Sequence, residues 1–281
     1  MILVLGATGT TGGEVARQLI AAGHKPRLLL RTPSKGRQFE GKADLVEGDL
    51  DRPESLPRAF EGVEKLFLVS AGLNGPELEG NAIAQAAKSG VEHVVKLSVI
   101  TAEQPRVTFA KWHAASEKRL RDSGLAWTML RPGNFMTNSF MWADTIRSQG
   151  AFYQPSGTGK WASIDPVDIG AVAVKALTSP GYAGKSFTLT GPESLDGAGY
   201  ARLFSTVLGK PISFVDVPPE AARDGLLKSG MPAGYVDAIL ELMAKMKDGS
   251  LDLVTNGVEQ ALGRPPGSFE AWARRNAAAF K

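Results

Sequence analysis

A chain of 281 residues with 43% hydrophobic side chains is long enough for one large domain, or one domain and a lobe, around a substantial core. It has no cysteine and three histidines, His24, His93 and His113, which excludes disulfides, thiol catalysis and thiolate metal sites and leaves no basis for a histidine-rich zinc centre. The formal net charge is +3, and the basic residues are scattered, so no nucleic-acid partner is expected.

No apolar run approaches the roughly 20 residues that span a bilayer. Strand residues begin at position 2, which leaves no room for a leader peptide, so a cytoplasmic protein with neither membrane nor metal is expected. The opening run, Ile2-Leu-Val-Leu-Gly6-Ala-Thr-Gly9-Thr-Thr-Gly12-Gly13, reads as a buried strand, a glycine-rich turn and a helix start. Gly6 makes the turn after the strand, Gly9 lets backbone approach a pyrophosphate, and Gly12 lets the helix pack close to the sheet. The helix at 11–22 then directs its N-terminal amides and partial positive charge at the phosphates.

Strands at 26–31 and 44–48 follow, then a helix at 53–60, a strand at 64–70, a helix at 77–89, a strand at 92–99, a helix at 108–123 and a strand at 126–131. Their alternation, with cores as apolar as Lys65-Leu-Phe-Leu-Val69 and His93-Val-Val-Lys-Leu97, predicts a parallel sheet covered on both faces. At the end of the second strand, where NAD-specific folds place a carboxylate for the ribose 2′-hydroxyl, stands Arg31, followed by Thr32, Ser34, Lys35 and Arg37. That set suits a 2′-phosphate, so NADP(H) is preferred over NAD(H); the alternative is a loop of solvated charges. Asp49, in the turn Gly48-Asp49-Leu50, is placed either to meet the adenine or to cap the helix that follows.

After Arg131 the pattern loosens into a stretch rich in aromatics and methionine: Phe135, Met136, Phe140, Met141 and Trp142. These suit a flat aromatic guest, although each also reads as core. Ile164 to Gly170 predicts a strand feeding a helix, so that the chain re-enters the main sheet before leaving near Phe187. Helices at 198–208, 218–228, 233–247 and 268–279 complete it.

Taken together, Gly6-Ala-Thr-Gly9-Thr-Thr-Gly12, Gly48-Asp49-Leu50, Trp112-His113 with Glu117, and Leu130-Arg131-Pro-Gly-Asn134-Phe135-Met136-Thr-Asn138 resemble the NmrA-like atypical short-chain dehydrogenase/reductases. Leu189-Thr-Gly191-Pro-Glu193 and Leu262-Gly-Arg-Pro-Pro266 extend the likeness, which is nearest to the quinone reductase and triphenylmethane reductase branch. The resemblance implies an α/β fold: a Rossmann-type doubly wound parallel sheet and a smaller, mainly helical C-terminal substrate lobe interleaved with it. The expected division is 1–132, with a return segment at about 160–180, against 133–159 and 181–281. The cofactor set it implies is Gly6, Thr8, Gly9, Thr10, Thr11, Gly12, Arg31, Lys35, Asp49, Leu50, Ser70, Ala71, Ser98 and Asn134.

The Tyr-x-x-x-Lys pair of the main short-chain dehydrogenases is missing. Tyr153, Tyr182, Tyr200 and Tyr235 are followed four positions later by Gly157, Ser186, Phe204 and Ile239. In the matching place stand His113 and Glu117, four apart on one helix face. They read equally as a proton donor whose pKa the carboxylate raises and as a structural pair locking helix to loop. The resulting expectation is NADPH-dependent hydride transfer to a quinone-like or other conjugated small electrophile. A non-catalytic NADP(H)-binding redox sensor is the alternative, and a homodimer is left open.

Overall fold

Through residue 132, three- to seven-residue apolar strands alternate with helices whose apolar stripes must be buried, and the chain solves both demands with one layered unit. The computed structural model describes residues 1–70 and 72–281. In chain order the first part holds β1 (Ile2–Val4), α1 (Thr10–Ala21), β2 (Arg27–Leu30), β3 (Asp44–Glu47), α2 (Pro57–Phe60), β4 (Lys65–Leu68), α3 (Gly75–Lys88), β5 (His93–Leu97), α4 (Thr108–Asp122) and β6 (Ala126–Pro132). There follow β7 (Asn134–Phe135), α5 (Ala143–Gln149), β8 (Ala151–Gln154), β9 (Ser163–Ile164), α6 (Pro166–Thr178) and β10 (Lys185–Leu189). The chain ends with α7 (Gly197–Leu208), β11 (Ser213–Asp216), α8 (Pro219–Lys228), α9 (Ala233–Lys247), α10 (Gly257–Leu262) and α11 (Phe269–Arg275).

The main sheet has seven strands in the order β10-β6-β5-β4-β1-β2-β3, and every pair from β6 to β3 is parallel. Strand order reverses at β1, which lies between β2 and β4. In such sheets the crevice for a ligand opens at the carboxyl ends of the strands beside that reversal. One face is covered by α2, α3 and α4 through a cluster that includes Leu3, Leu5, Leu66, Leu68, Phe60, Ile83 and Leu120. On the other face α6 packs against β4, β5, β6 and α1. Gly170 is what lets α6 lie so close to α1: an added Cβ would stand 2.8 Å from Glu14 Cγ.

Packing divides the chain into two units, Met1–Pro132 with Pro166–Thr188, and Gly133–Asp165 with Leu189–Lys281. The second holds two small sheets, β7 with β9 and β8 with β11, so it is less purely helical than its sequence implies. Its core is aromatic: Trp142 stacks on Phe152 at 4.2 Å, Trp161 on Tyr200 at 4.9 Å, and Phe204 meets Phe269 edge-on at 5.4 Å.

Two expectations are corrected. The segment at 53–60 is not one helix but a 3₁₀ turn, Pro53–Ser55, followed by the single turn of α2, because Pro57 has no N–H to continue the ladder. The strand before α6 does not re-enter the main sheet; β9 pairs with β7, and the returning strand is β10 at the sheet edge. No helix is long and apolar enough to cross a membrane among the described residues.

Candidate dinucleotide site and the His113 cluster

The turn after β1 is built from three glycines with different tasks. Gly6 sits at φ +64°, a left-handed conformation that disfavours any side chain, and its carbonyl accepts the Gly9 N–H at 2.8 Å. A Cβ on Gly12 would stand 2.4 Å from the Gly6 oxygen and 2.5 Å from the Leu5 oxygen, so α1 can begin against the strand end only with glycine there. Gly9 is the N-cap of α1; no side chain caps it, and the first turn carries no acidic residue. Thr8, Gly9 and Thr10 are exposed, whereas Thr11 and Gly12 are buried. An uncapped helix start at the sheet's reversal point, open to solvent and with no acidic residue in its first turn, suits an anionic group.

Arg31 follows β2 directly and Lys35 lies in the 3₁₀ helix Pro33–Phe39. Both are exposed, and neither makes an ion pair among the described residues. Asp49 does not cap the next helix, whose N-cap Arg52 has no side-chain acceptor. Its carboxylate instead accepts the Asp51 N–H at 3.1 Å and faces Arg52 at 3.9 Å, which orders the turn. Leu50 is anchored beside it, its carbonyl accepting from Asn81 Nδ2 at 2.8 Å. Ser70, two residues beyond β4, donates to the Gly75 carbonyl at 3.2 Å. Ala71 lies outside the described residues.

Ser98 is committed elsewhere: its hydroxyl donates to Glu117 Oε1 at 2.6 Å. Asn134 belongs to the second unit, where its amide donates to Ser163 Oγ at 2.9 Å and its oxygen accepts from Asn138 at 2.8 Å. The aromatic and methionine stretch divides by burial. Met136 and Trp142 are core, Phe135 is half-buried, and Phe140 and Met141 remain 40% and 48% exposed. Phe140 is also stacked on Phe280 at 5.7 Å, so only part of its surface is available.

On α4 His113 is half-buried and Glu117 fully buried, and they face different partners. Glu117 accepts from Arg131 Nε at 2.9 Å, Arg131 Nη2 at 2.7 Å and Arg121 Nη2 at 2.7 Å, besides Ser98. Burial works against its charge, yet the hydrogen bonds from Arg131 and Ser98 prevail and hold its pKa below the usual carboxylate value. The ring of His113 instead approaches Lys96, Nδ1 to Nζ, at 3.4 Å. Its pKa falls to about 4, first through burial and then through the Lys96 charge, with Glu79 and Glu117 opposing. The expectation of a raised pKa is therefore corrected: Glu117 still acts in that direction, but burial and the Lys96 charge outweigh it, and the carboxylate itself bonds to Arg131, Arg121 and Ser98 instead of the imidazole.

Lys96 and Glu79 were not among the residues expected to matter. Both are buried, and they pair at 2.8 Å. The available signal was a lysine inside the apolar strand His93-Val-Val-Lys96-Leu97, since an ammonium in a doubly covered strand requires a partner. Tyr200 is enclosed in the second unit, hydrogen-bonded to Ser163 Oγ at 2.8 Å and to the Trp161 carbonyl at 3.0 Å, and burial pushes its pKa up.

The profile of the NAD(P)H-binding family matches residues 6–180. An NAD(P)H azoreductase of Xenophilus azovorans is 38% identical over 283 residues, covering 100% of this chain and 99% of the relative. A (4-alkanoyl-5-oxo-2,5-dihydrofuran-3-yl)methyl phosphate reductase of Streptomyces griseus is 36% identical, covering 100% and 99%. Among solved structures, an NADPH-dependent quinone oxidoreductase of Escherichia coli complexed with NADPH superimposes with a TM-score of 0.90 at 25% identity, covering 99% of this chain and 100% of that one.

Proposed function

The chain belongs to the NAD(P)H-binding family, and on that premise we propose that it is an NADPH-dependent reductase that delivers hydride to a quinone-like or other conjugated electrophile. The observation that carries this reading is full-length likeness to reductases of an azo compound, an oxo-dihydrofuran and a quinone, combined with the open glycine turn at the start of α1. Such acceptors share an electron-poor π-system.

The residues present fit the cofactor: Gly12 leaves room only a glycine provides, and the Gly9 N-cap is uncapped and exposed. In this reading Gly6, Thr8, Gly9, Thr10, Thr11 and Gly12 hold the pyrophosphate on backbone amides and hydroxyls. Arg31 and Lys35 take the 2′-phosphate, which sets the preference for NADP(H), with Asp49 and Leu50 beside the adenine and Ser70 toward the nicotinamide. When bound, the nicotinamide supplies the hydride. The acceptor takes up that hydride and one proton from water to give the reduced product.

A strongly electrophilic acceptor needs little acid assistance, so proximity and exclusion of water supply most of the rate. This is compatible with a chain in which the tyrosine acid is missing and His113 is neutral near pH 7. Phe140 and Met141 offer exposed apolar surface for a flat guest, whereas Met136 and Trp142 serve the core. The test is to titrate NADPH by its fluorescence and then assay oxidation against quinones, azo dyes and conjugated lactones. Tight binding with no turnover across that panel would replace this reading by a redox sensor.

A further inference from the structure

Lys96, with no exposed surface, directs its ammonium at three acceptors: Glu79 Oε2 at 2.8 Å, the Leu97 carbonyl at 2.9 Å and His113 Nδ1 at 3.4 Å. An ammonium has three donors and no lone pair, so these three acceptors account for all its hydrogens. Nδ1 of His113 must then carry the lone pair, and in a neutral imidazole the one proton sits on Nε2. That nitrogen has no protein hydrogen-bond partner among the described residues, and the ring is half-buried. Glu79 is buried, its Oε2 pairs with the Lys96 ammonium and its Oε1 has no partner of its own, so Lys96 is its one ion-pair partner among the described residues.

We propose that Lys96 and Glu79 are positioning residues that fix His113 as the neutral Nε2–H tautomer, presenting a hydrogen-bond donor to the oxygen of a bound carbonyl or quinone. The role assigned to the donor rests on the reductase reading above. Negative charge develops on that oxygen as hydride arrives at the conjugated acceptor, and a fixed N–H in a partly dry place stabilises it. His113 then supplies a dipole and keeps its proton, while water delivers the proton that completes the product. The low His113 pKa agrees with this, because burial and then repulsion by Lys96 disfavour an imidazolium. The other charged groups nearby do not compete for the ring: Glu117 is held by Arg131, Arg121 and Ser98.

The test is nitrogen NMR on the full-length protein with ¹⁵N-labelled histidine, with the His113 signals identified by their loss in His113→Gln. The expected result is a pyridine-type Nδ1 and a protonated Nε2 at about pH 7, unchanged at about pH 5.5, within the window where a free imidazole gains its second proton. An Nδ1–H tautomer, or an imidazolium at neutral pH, would overturn the proposal. Replacing the pair together, Lys96→Met with Glu79→Gln, leaves no lone buried charge. That variant is expected to lose the single tautomer, to titrate its His113 between about pH 5 and 8, and to lower kcat on quinones about tenfold or more with NADPH affinity unchanged. Retention of both the tautomer and kcat would overturn the positioning role, and if the double variant fails to fold, the unmodified protein's spectrum decides. A protein that holds the Nε2–H form yet reduces no acceptor refutes the reductase reading and supports the tautomer assignment. Turnover with an Nδ1–H ring refutes the assignment alone.

Discussion

Arg131 grips both oxygens of Glu117 through its Nε and Nη2 at 2.9 and 2.7 Å, joining β6 to α4 with both side chains buried. Breaking such a pair leaves an uncompensated charge in the interior, so Glu117→Ala should lower the unfolding free energy by about 3–5 kcal/mol. Because its folded pKa is depressed, the stability Glu117 contributes is present above the ordinary carboxylate value of 4.5 and is lost as pH falls below it. Urea unfolding of the two proteins at about pH 7 and pH 3 measures both effects. A variant as stable as the parent at neutral pH would show the pair to be inert.

Gly9 and Gly12 should fail differently. A Cβ on Gly9 meets only the Gly6 oxygen, at 3.3 Å, and its φ of −97° suits any residue. Gly9→Val should therefore fold and lose NADPH binding, because the side chain occupies the approach to the amides. Gly12→Val drives Cβ to within 2.5 Å of three backbone atoms and should lower the melting temperature outright. Circular dichroism melts beside NADPH fluorescence titrations separate the two outcomes, and normal NADPH binding by folded Gly9→Val would refute the site.

Arg31 and Lys35 are cations beside the end of β2 without ion-pair partners among the described residues, and Arg31 stands where an NAD fold places a carboxylate for the 2′-hydroxyl. A charge-assisted bond to a phosphate contributes roughly 1.5–3 kcal/mol, so Arg31→Ala should weaken NADPH about tenfold or more and leave NADH nearly unchanged. Titration of the unmodified protein with both cofactors is the control. Equal affinities there would remove the basis for the preference.

His113 links stability to pH with a definite sign. Its folded pKa of about 4 lies below the ordinary 6.5, so between those values the unfolded chain binds more protons than the folded one. Unfolding free energy should rise as pH increases from about 4 to 6.5, by at most about 3 kcal/mol from this group. His113→Gln should flatten that segment of the curve. An identical slope in the variant would contradict the buried, neutral ring.

Much of this was legible in the chain because the informative residues are local. The glycine turn, most of the strand-helix rhythm to residue 132 and the helices α7, α8 and α9 follow from runs and periods within a dozen residues, whereas α10, six residues long, was not read and α11 stops at Arg275, short of the expected 279. The pairing of β7 with β9 and of β8 with β11 was not, since strands of two to four residues carry no period of their own and are fixed by what they meet. The same limit explains Glu117. Its spacing from His113 is right for a pair, but Arg131, 14 positions away on β6, lies beyond the reach of helical spacing and outbids the imidazole with a bidentate guanidinium. Lys96 and Glu79, 17 positions apart in sequence, meet only because β5 and α3 pack together, and the lone lysine in an apolar strand was the one trace they left.

Catalytic turnover is decided by anaerobic stoichiometry. With limiting quinone and excess NADPH, one NADPH should be oxidised per quinone reduced, at a rate proportional to protein concentration and abolished in Gly9→Val. Oxidation no faster than the protein-free control, in a protein that binds NADPH tightly, would contradict it.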